Sequence, residues 1–226
     1  MQEIFNLDKI FDTFNYIFWF FILNLFFMIF NIPVILFFIF VGISNMFNYF
    51  PLFLLCLIPA APAFTALLYC MRRLVFSKDL EPVSDFKKGI KLNFVPSLKI
   101  WIPELLIILA LYSNIQFFTS IYKSIILVCI FSAILILVFA ATPYIYILIS
   151  RFSMKPLDIL RTSFILTFTR PIITITNILL FVVALILFEI SPATMSLFII
   201  SIFAFAIIFF NRALIHELEQ ISKNNS

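Results

Sequence analysis

Residues 16–43 run for 28 positions without one charged side chain. As a single helix this stretch would be about 42 Å long, more than the ~30 Å hydrocarbon core of a bilayer. Tilt, or a bend at Pro33, is needed to absorb the excess. Further apolar runs follow at residues 50–71, 100–118, 124–149, 172–188 and 193–210. A chain of this kind cannot fold as an ordinary soluble domain. Of its 226 residues 64% are hydrophobic and 12% charged, against about 45–50% and about 25% in soluble globular domains. The pattern predicts an all-α bundle of about six transmembrane spans, with residues 1–226 forming one integral membrane domain.

Charge sets the expected orientation. With the N-terminus inside, fourteen of the fifteen Lys and Arg residues fall in inner segments, and Lys123 alone falls outside. Cytoplasmic loops retain Lys and Arg, so this asymmetry predicts a cell-membrane protein with both termini in the cytoplasm. It also accounts for the net charge of +4 without nucleic acid as a partner. The outer connections are too short to hold a domain.

The two longer inner loops resemble each other at a gapless offset of 74 residues, which pairs Pro82 with Pro156. After each proline an apolar stripe follows in the same steps: Val83, Phe86, Ile90 and Phe94, then Leu157, Leu160, Phe164 and Phe168. Steps of three, four and four put these side chains on one helical face. The pattern predicts two amphipathic elbow helices, at about residues 82–97 and 156–171. Arg72, Arg73, Lys87, Lys88, Lys91, Arg161 and Arg170 supply their basic side. Three placements are open: flat on the inner leaflet among anionic lipids, as a docking platform for a cytoplasmic partner such as an ATPase subunit, or tucked between spans.

Polar groups inside apolar runs are the other candidates, because an amide facing lipid would leave donors and acceptors unpaired. Asn24 and Asn31 lie seven residues apart, on one face of the first run. Pro59 and Pro62 bracket two alanines ahead of Thr65 and should bend or break the second span. Such a break either serves packing or lines a binding site. Glu104 and Glu189 are the acids within or beside apolar runs, and both are expected to reach water by snorkelling. His216 sits with Glu217 and Glu219 in a charged C-terminal tail.

A catalytic inventory is missing. With one histidine, three cysteines and two glycines, the chain offers neither a phosphate loop nor a metal-ligand set. The expectation is therefore a non-enzymatic protein with no catalytic residues, no metal and no cofactor.

The residues Asn24-Leu25-Phe26-Phe27 through Phe30-Asn31-Ile32-Pro33, Pro62-Ala63 with Ala66-Leu67, then Arg72-Arg73 and the elbow from Asp85-Phe86 to Asn93-Phe94 resemble the YesL family of bacterial membrane proteins. The sequence departs from that family at Ala61, where a glycine often precedes the Pro-Ala pair. The resemblance implies a Gram-positive source of the Firmicutes type and a protein of uncharacterised activity whose gene often neighbours carbohydrate uptake systems and sensor kinases. It points to an accessory or regulatory role beside a carbohydrate ABC transporter. The alternative is a small-solute or lipid transporter, or permease subunit, in its own right.

Overall fold

The computed structural model describes residues 7–190 and 197–224. The beginning of the sixth expected span, residues 193–196, lies outside the described residues. Helices account for nearly all of the rest: α1 (Leu7–Phe30), α2 (Ile32–Phe40), a 3₁₀ turn (Ile43–Asn45), α3 (Phe50–Cys56), α4 (Ala60–Ser77), α5 (Pro82–Ser120), α6 (Ile125–Arg151), α7 (Pro156–Thr169), α8 (Pro171–Ile190), α9 (Ile199–Phe210) and α10 (Arg212–Asn224).

Two helices, α5 and α6, are each long and apolar enough to cross a membrane alone. Four more candidates are bent pairs: α1 with α2 (67°), α3 with α4 (43°), α7 with α8 (99°) and α9 with α10 (56°). Counting each pair as one span gives up to six. Large apolar side chains are exposed along much of the outside of the bundle, from Ile17 and Ile39 to Ile126, Ile175 and Ile202. A surface of this extent suits lipid and would aggregate in water.

Helix α4 is the hub. It packs on α1, α5, α6 and α9, and from Ala61 to Met71 nearly every side chain is buried. Small residues make this density attainable, since Ala61, Ala63 and Ala66 let neighbouring backbones come close. The closest approach is to Gly89 of α5, where an added Cβ would lie 2.9 Å from the Cα of Ala66. The tight glycine contact is therefore supplied by α5, and Ala61 is simply buried beside it.

The breaks fall where the backbone has lost donors or gained competing acceptors. The first run divides at Asn31, whose side-chain amide donates to the Phe27 carbonyl at 2.9 Å, and α2 restarts with Pro33 in its first turn. Between α3 and α4, Pro59 and Pro62 interrupt the ladder. The carbonyl of Leu57 at that break accepts the indole N–H of Trp101 at 2.8 Å. Thr65 donates its hydroxyl within the same turn, 2.9 Å from the Pro62 carbonyl. Replacing Trp101 with phenylalanine should cost about 1–2 kcal/mol in unfolding measured in detergent, because a half-buried carbonyl loses its side-chain donor.

The first elbow differs from its expected form. No separate surface helix ends near residue 97; α5 is continuous for 39 residues, through Pro96 and Pro103. At about 58 Å it is roughly twice the thickness of a hydrocarbon core, so one end must project beyond it. Ser97 helps to carry the helix past Pro96 by donating to the Asn93 carbonyl at 2.6 Å. The second elbow, α7, does end, at the sharp bend before Pro171.

The buried face of both elbows also differs from the apolar stripe. Asp85, Phe86, Gly89, Asn93 and Ser97 are buried in α5, whereas Val83 and Phe94 are exposed. In α7 the buried positions are Ile159, Ser163, Leu166 and Thr167, with Leu157 and Phe168 outside. The 74-residue offset survives in the new register: Gly89 answers to Ser163 and Asn93 to Thr167. The reason is the solvent. Lipid gives no reward for hiding a phenylalanine, so small side chains that permit close packing take the inner face instead.

Candidate functional site

Most of the charge gathers at one end of the bundle, where the C-termini of α4 and α6 meet the N-terminal parts of α5 and α7 and the helix α10. Consecutive arginines leave α4 in different directions. Arg73 pairs with Asp85, which is 2% exposed and also accepts the backbone N–H of Glu81 at 3.0 Å. Asp79 adds a weaker contact to Arg73 at 3.5 Å. Asp85 thus locks the start of α5 onto the end of α4.

Arg72 turns the other way, toward α10. Glu219 pairs with Arg151, from the last turn of α6, and lies 3.8 Å from Arg72. Two guanidinium groups share one carboxylate, which leaves a net positive charge in a place where water is scarce. Arg72 also lies over the Tyr69 ring, 5.7 Å from its centre. Two residues earlier in α10, Glu217 accepts from Arg170 at 2.7 Å. The tail expected to be solvated is folded against the bundle as α10, because its two acids find three arginines there.

The remaining basic candidates face outward. Lys87, Lys88 and Lys91 of α5 and Arg161 of α7 are exposed. This face is cationic and apolar together, since Leu92 and Val95 of α5 and Ile165 of α7 are exposed as well.

The intramembrane candidates are built into packing. Asn24 is 1% exposed and its Oδ1 accepts the backbone N–H of Ser201 at 3.4 Å. Ser201 lies in the first turn of α9, whose amides lack intrahelical partners, so α1 caps α9 from outside. Asn31, 6% exposed, sits at the α1–α2 break; its Oδ1 has no partner among the described residues. Pro62 and Thr65 are buried in α4 with no charge beside them, and Pro59 precedes its first turn. Asn24 and the Pro59–Pro62 break have different hydrogen-bond neighbours, α9 and Trp101.

Glu104 corrects the snorkelling expectation. It is 5% exposed and points inward, accepting from Thr142 at 2.7 Å and from Tyr146 at 3.3 Å, hydroxyls one turn apart on α6. Glu189, by contrast, is exposed. A second buried pair, absent from the sequence expectations, joins Asn211 to Asn177 of α8 at 2.8 Å. The signal was available: each is a lone amide in or at the end of an apolar run, as Asn24 is. The partners Asp85, Glu217 and Glu219 carry no comparable local signal.

Compared with known families, residues 20–115 match the one described as "Protein of unknown function, DUF624". The match covers the later part of α1, all of α2, α3 and α4 and most of α5, and with them Arg72, Arg73, Asp85 and Asn93. No curated protein and no solved structure matches the chain.

Proposed function

We propose that this is a non-enzymatic, multi-pass protein of the cell membrane, its basic end and both termini in the cytoplasm, that assists or regulates a carbohydrate ABC transporter. The observation that carries this reading is the division of polar groups. Inside the bundle Asn24, Thr65 and Glu104 are engaged by neighbouring helices, while Lys87, Lys88, Lys91 and Arg161 stand free on two helices at one end. Lys87 and Arg161 are equivalent at the 74-residue offset. A paired cationic-apolar face of this kind suits an acidic surface on an ATPase or permease subunit, with rim charges steering the encounter. The link to carbohydrate import comes from the YesL resemblance, and the family match at residues 20–115 agrees with it in position.

The transporter alternative has less behind it. A substrate-binding helix break needs free backbone groups, and here the Leu57 carbonyl is already taken by Trp101.

Co-purification from native membranes in mild detergent tests the proposal. The wild-type chain should bring down transporter or ATPase components, and the Lys87→Glu, Arg161→Glu double variant should recover at least fivefold less at equal abundance. Recovery of no such component, or equal recovery by both chains, would reject the docking role. Under the same reading Asn24→Leu should lower the melting temperature in detergent without changing solute flux in reconstituted vesicles. Loss of flux with an unchanged melting temperature would favour the transporter.

A further inference from the structure

A cavity of about 450 Å³ opens at the basic end among α4, α5, α6 and the linker into α7. Its polar wall is formed by Tyr69, Arg72, Asn93, Ser150 and Arg151, with Ser153 in the linker. The volume lies in the range of small-molecule sites. Three observations give the cavity a chemical preference.

First, two lining residues bring buried donors that have no partner among the described residues: the side-chain amide nitrogen of Asn93 and Nε of Arg72. Asn93 is 6% exposed, so its unpaired amide carries a desolvation cost that an acceptor would relieve. Second, the charges do not balance. Arg72 and Arg151 share one carboxylate, Glu219, which lies outside the lining, and no acid is among the described residues that line the cavity. Third, the Ser150 hydroxyl already donates to the Ile147 carbonyl at 2.8 Å, so the donors the wall can offer are its cationic and amide groups together with the hydroxyls of Tyr69 and Ser153. Donors in excess, positive charge in excess and partial desolvation together select an oxyanion.

The rest of the lining is carbon-rich, with Leu92, Met154 and Ile159. A bare inorganic ion would leave that part unused.

We propose that this cavity is a binding site for an organic phosphate: the phosphate sits between Arg72, Arg151 and Asn93, and its carbon-bearing remainder lies against Leu92 and Ile159. The phosphate is either the headgroup of an anionic phospholipid or a soluble sugar phosphate. This site borders the docking face at Leu92, but the cations of that face, Lys87, Lys88, Lys91 and Arg161, do not line it.

Calorimetric titration of the purified full chain in detergent tests the assignment, with short-chain phosphatidylglycerol in one arm and glucose 6-phosphate in the other. Saturable one-to-one binding of at least one probe is expected, and which probe binds identifies the source. Asn93→Asp places a carboxylate beside the phosphate and should weaken binding at least tenfold. Ser153→Asp does the same from an exposed linker position, where folding tolerates it, and should weaken binding about tenfold. Lys88→Gln, which removes one charge from the outer face, should stay within twofold of wild type. Absence of saturable binding by both probes would overturn the proposal. So would wild-type affinity in Ser153→Asp, or an equal loss in Lys88→Gln, which would mean diffuse surface attraction only.

Discussion

Replacing Arg73 with methionine should destabilise the bundle by about 3–5 kcal/mol, one of the two largest single-residue effects expected in this protein. The magnitude comes from the partner left behind. Asp85 is 2% exposed, so without Arg73 its carboxylate is a buried, uncompensated charge that retains only the Glu81 amide. The converse substitution should be milder. Asp85→Asn leaves Arg73, whose side chain is 31% exposed, able to reach water and Asp79, and a cost of about 1–3 kcal/mol is expected. Equilibrium unfolding in mixed micelles reads both values. Equal effects from the two variants would mean that Asp85 is better hydrated than its burial indicates.

Gly89→Val should be comparably severe. Even alanine would set a Cβ 2.9 Å from the Cα of Ala66, 3.1 Å from its Cβ and 3.2 Å from its carbonyl oxygen, and two of these three atoms are backbone. No rotamer change relieves such a clash; α4 and α5 must separate. Alanine gains about 1 kcal/mol in helix propensity over glycine, and overpacking costs about 1–3 kcal/mol, so Gly89→Ala should be destabilising by about 0–2 kcal/mol net. Valine adds branched bulk to the same contact and should cost about 3 kcal/mol or more. Ala66→Gly should rescue Gly89→Ala only in part, because it removes the Cβ and leaves the Cα and carbonyl in place. A Gly89→Ala chain more stable than wild type would show that the two helices are not held at this distance.

These two sites illustrate what the sequence could and could not convey. Apolar runs were legible because charge is costly in hydrocarbon, and they overlap α5, α6 and the bent pairs. Breaks near Pro33 and at Pro59–Pro62 were legible from missing donors, although the first lies at Asn31, one turn ahead of the expected strain. The face that each elbow buries was not legible from its apolar stripe. In water Phe94 and Phe168 would be the residues to hide, whereas in lipid Gly89 and Ser163 take the inner face because they fit against a neighbour. Burial of Glu104 was hidden for a related reason. A lone acid one turn inside the boundary looks able to snorkel, and only the arrival of Thr142 and Tyr146 from α6 makes an inward position affordable.

Long-range ion pairs were the least visible. Glu219 is 68 residues from Arg151, and no spacing rule links them. In the sequence Glu217 and Glu219 read as a solvated tail; in the fold they join α10 to α4, α6 and the junction between α7 and α8. Arg72 and Arg73 were candidates for a partner surface, yet both are engaged within the chain. Of the basic candidates, Lys87, Lys88, Lys91 and Arg161 remain exposed with no ion pair among the described residues.

Single-cysteine labelling in intact cells, with a membrane-impermeant maleimide and Cys56, Cys70 and Cys129 replaced by alanine, tests the central claim that one end of this bundle faces the cytoplasm and bears nearly all the cations. Lys123→Cys should be labelled from outside, and Lys87→Cys only after the membrane is permeabilised. External labelling at Lys87 with protection at Lys123 would contradict the orientation, and with it the docking role assigned to the basic end.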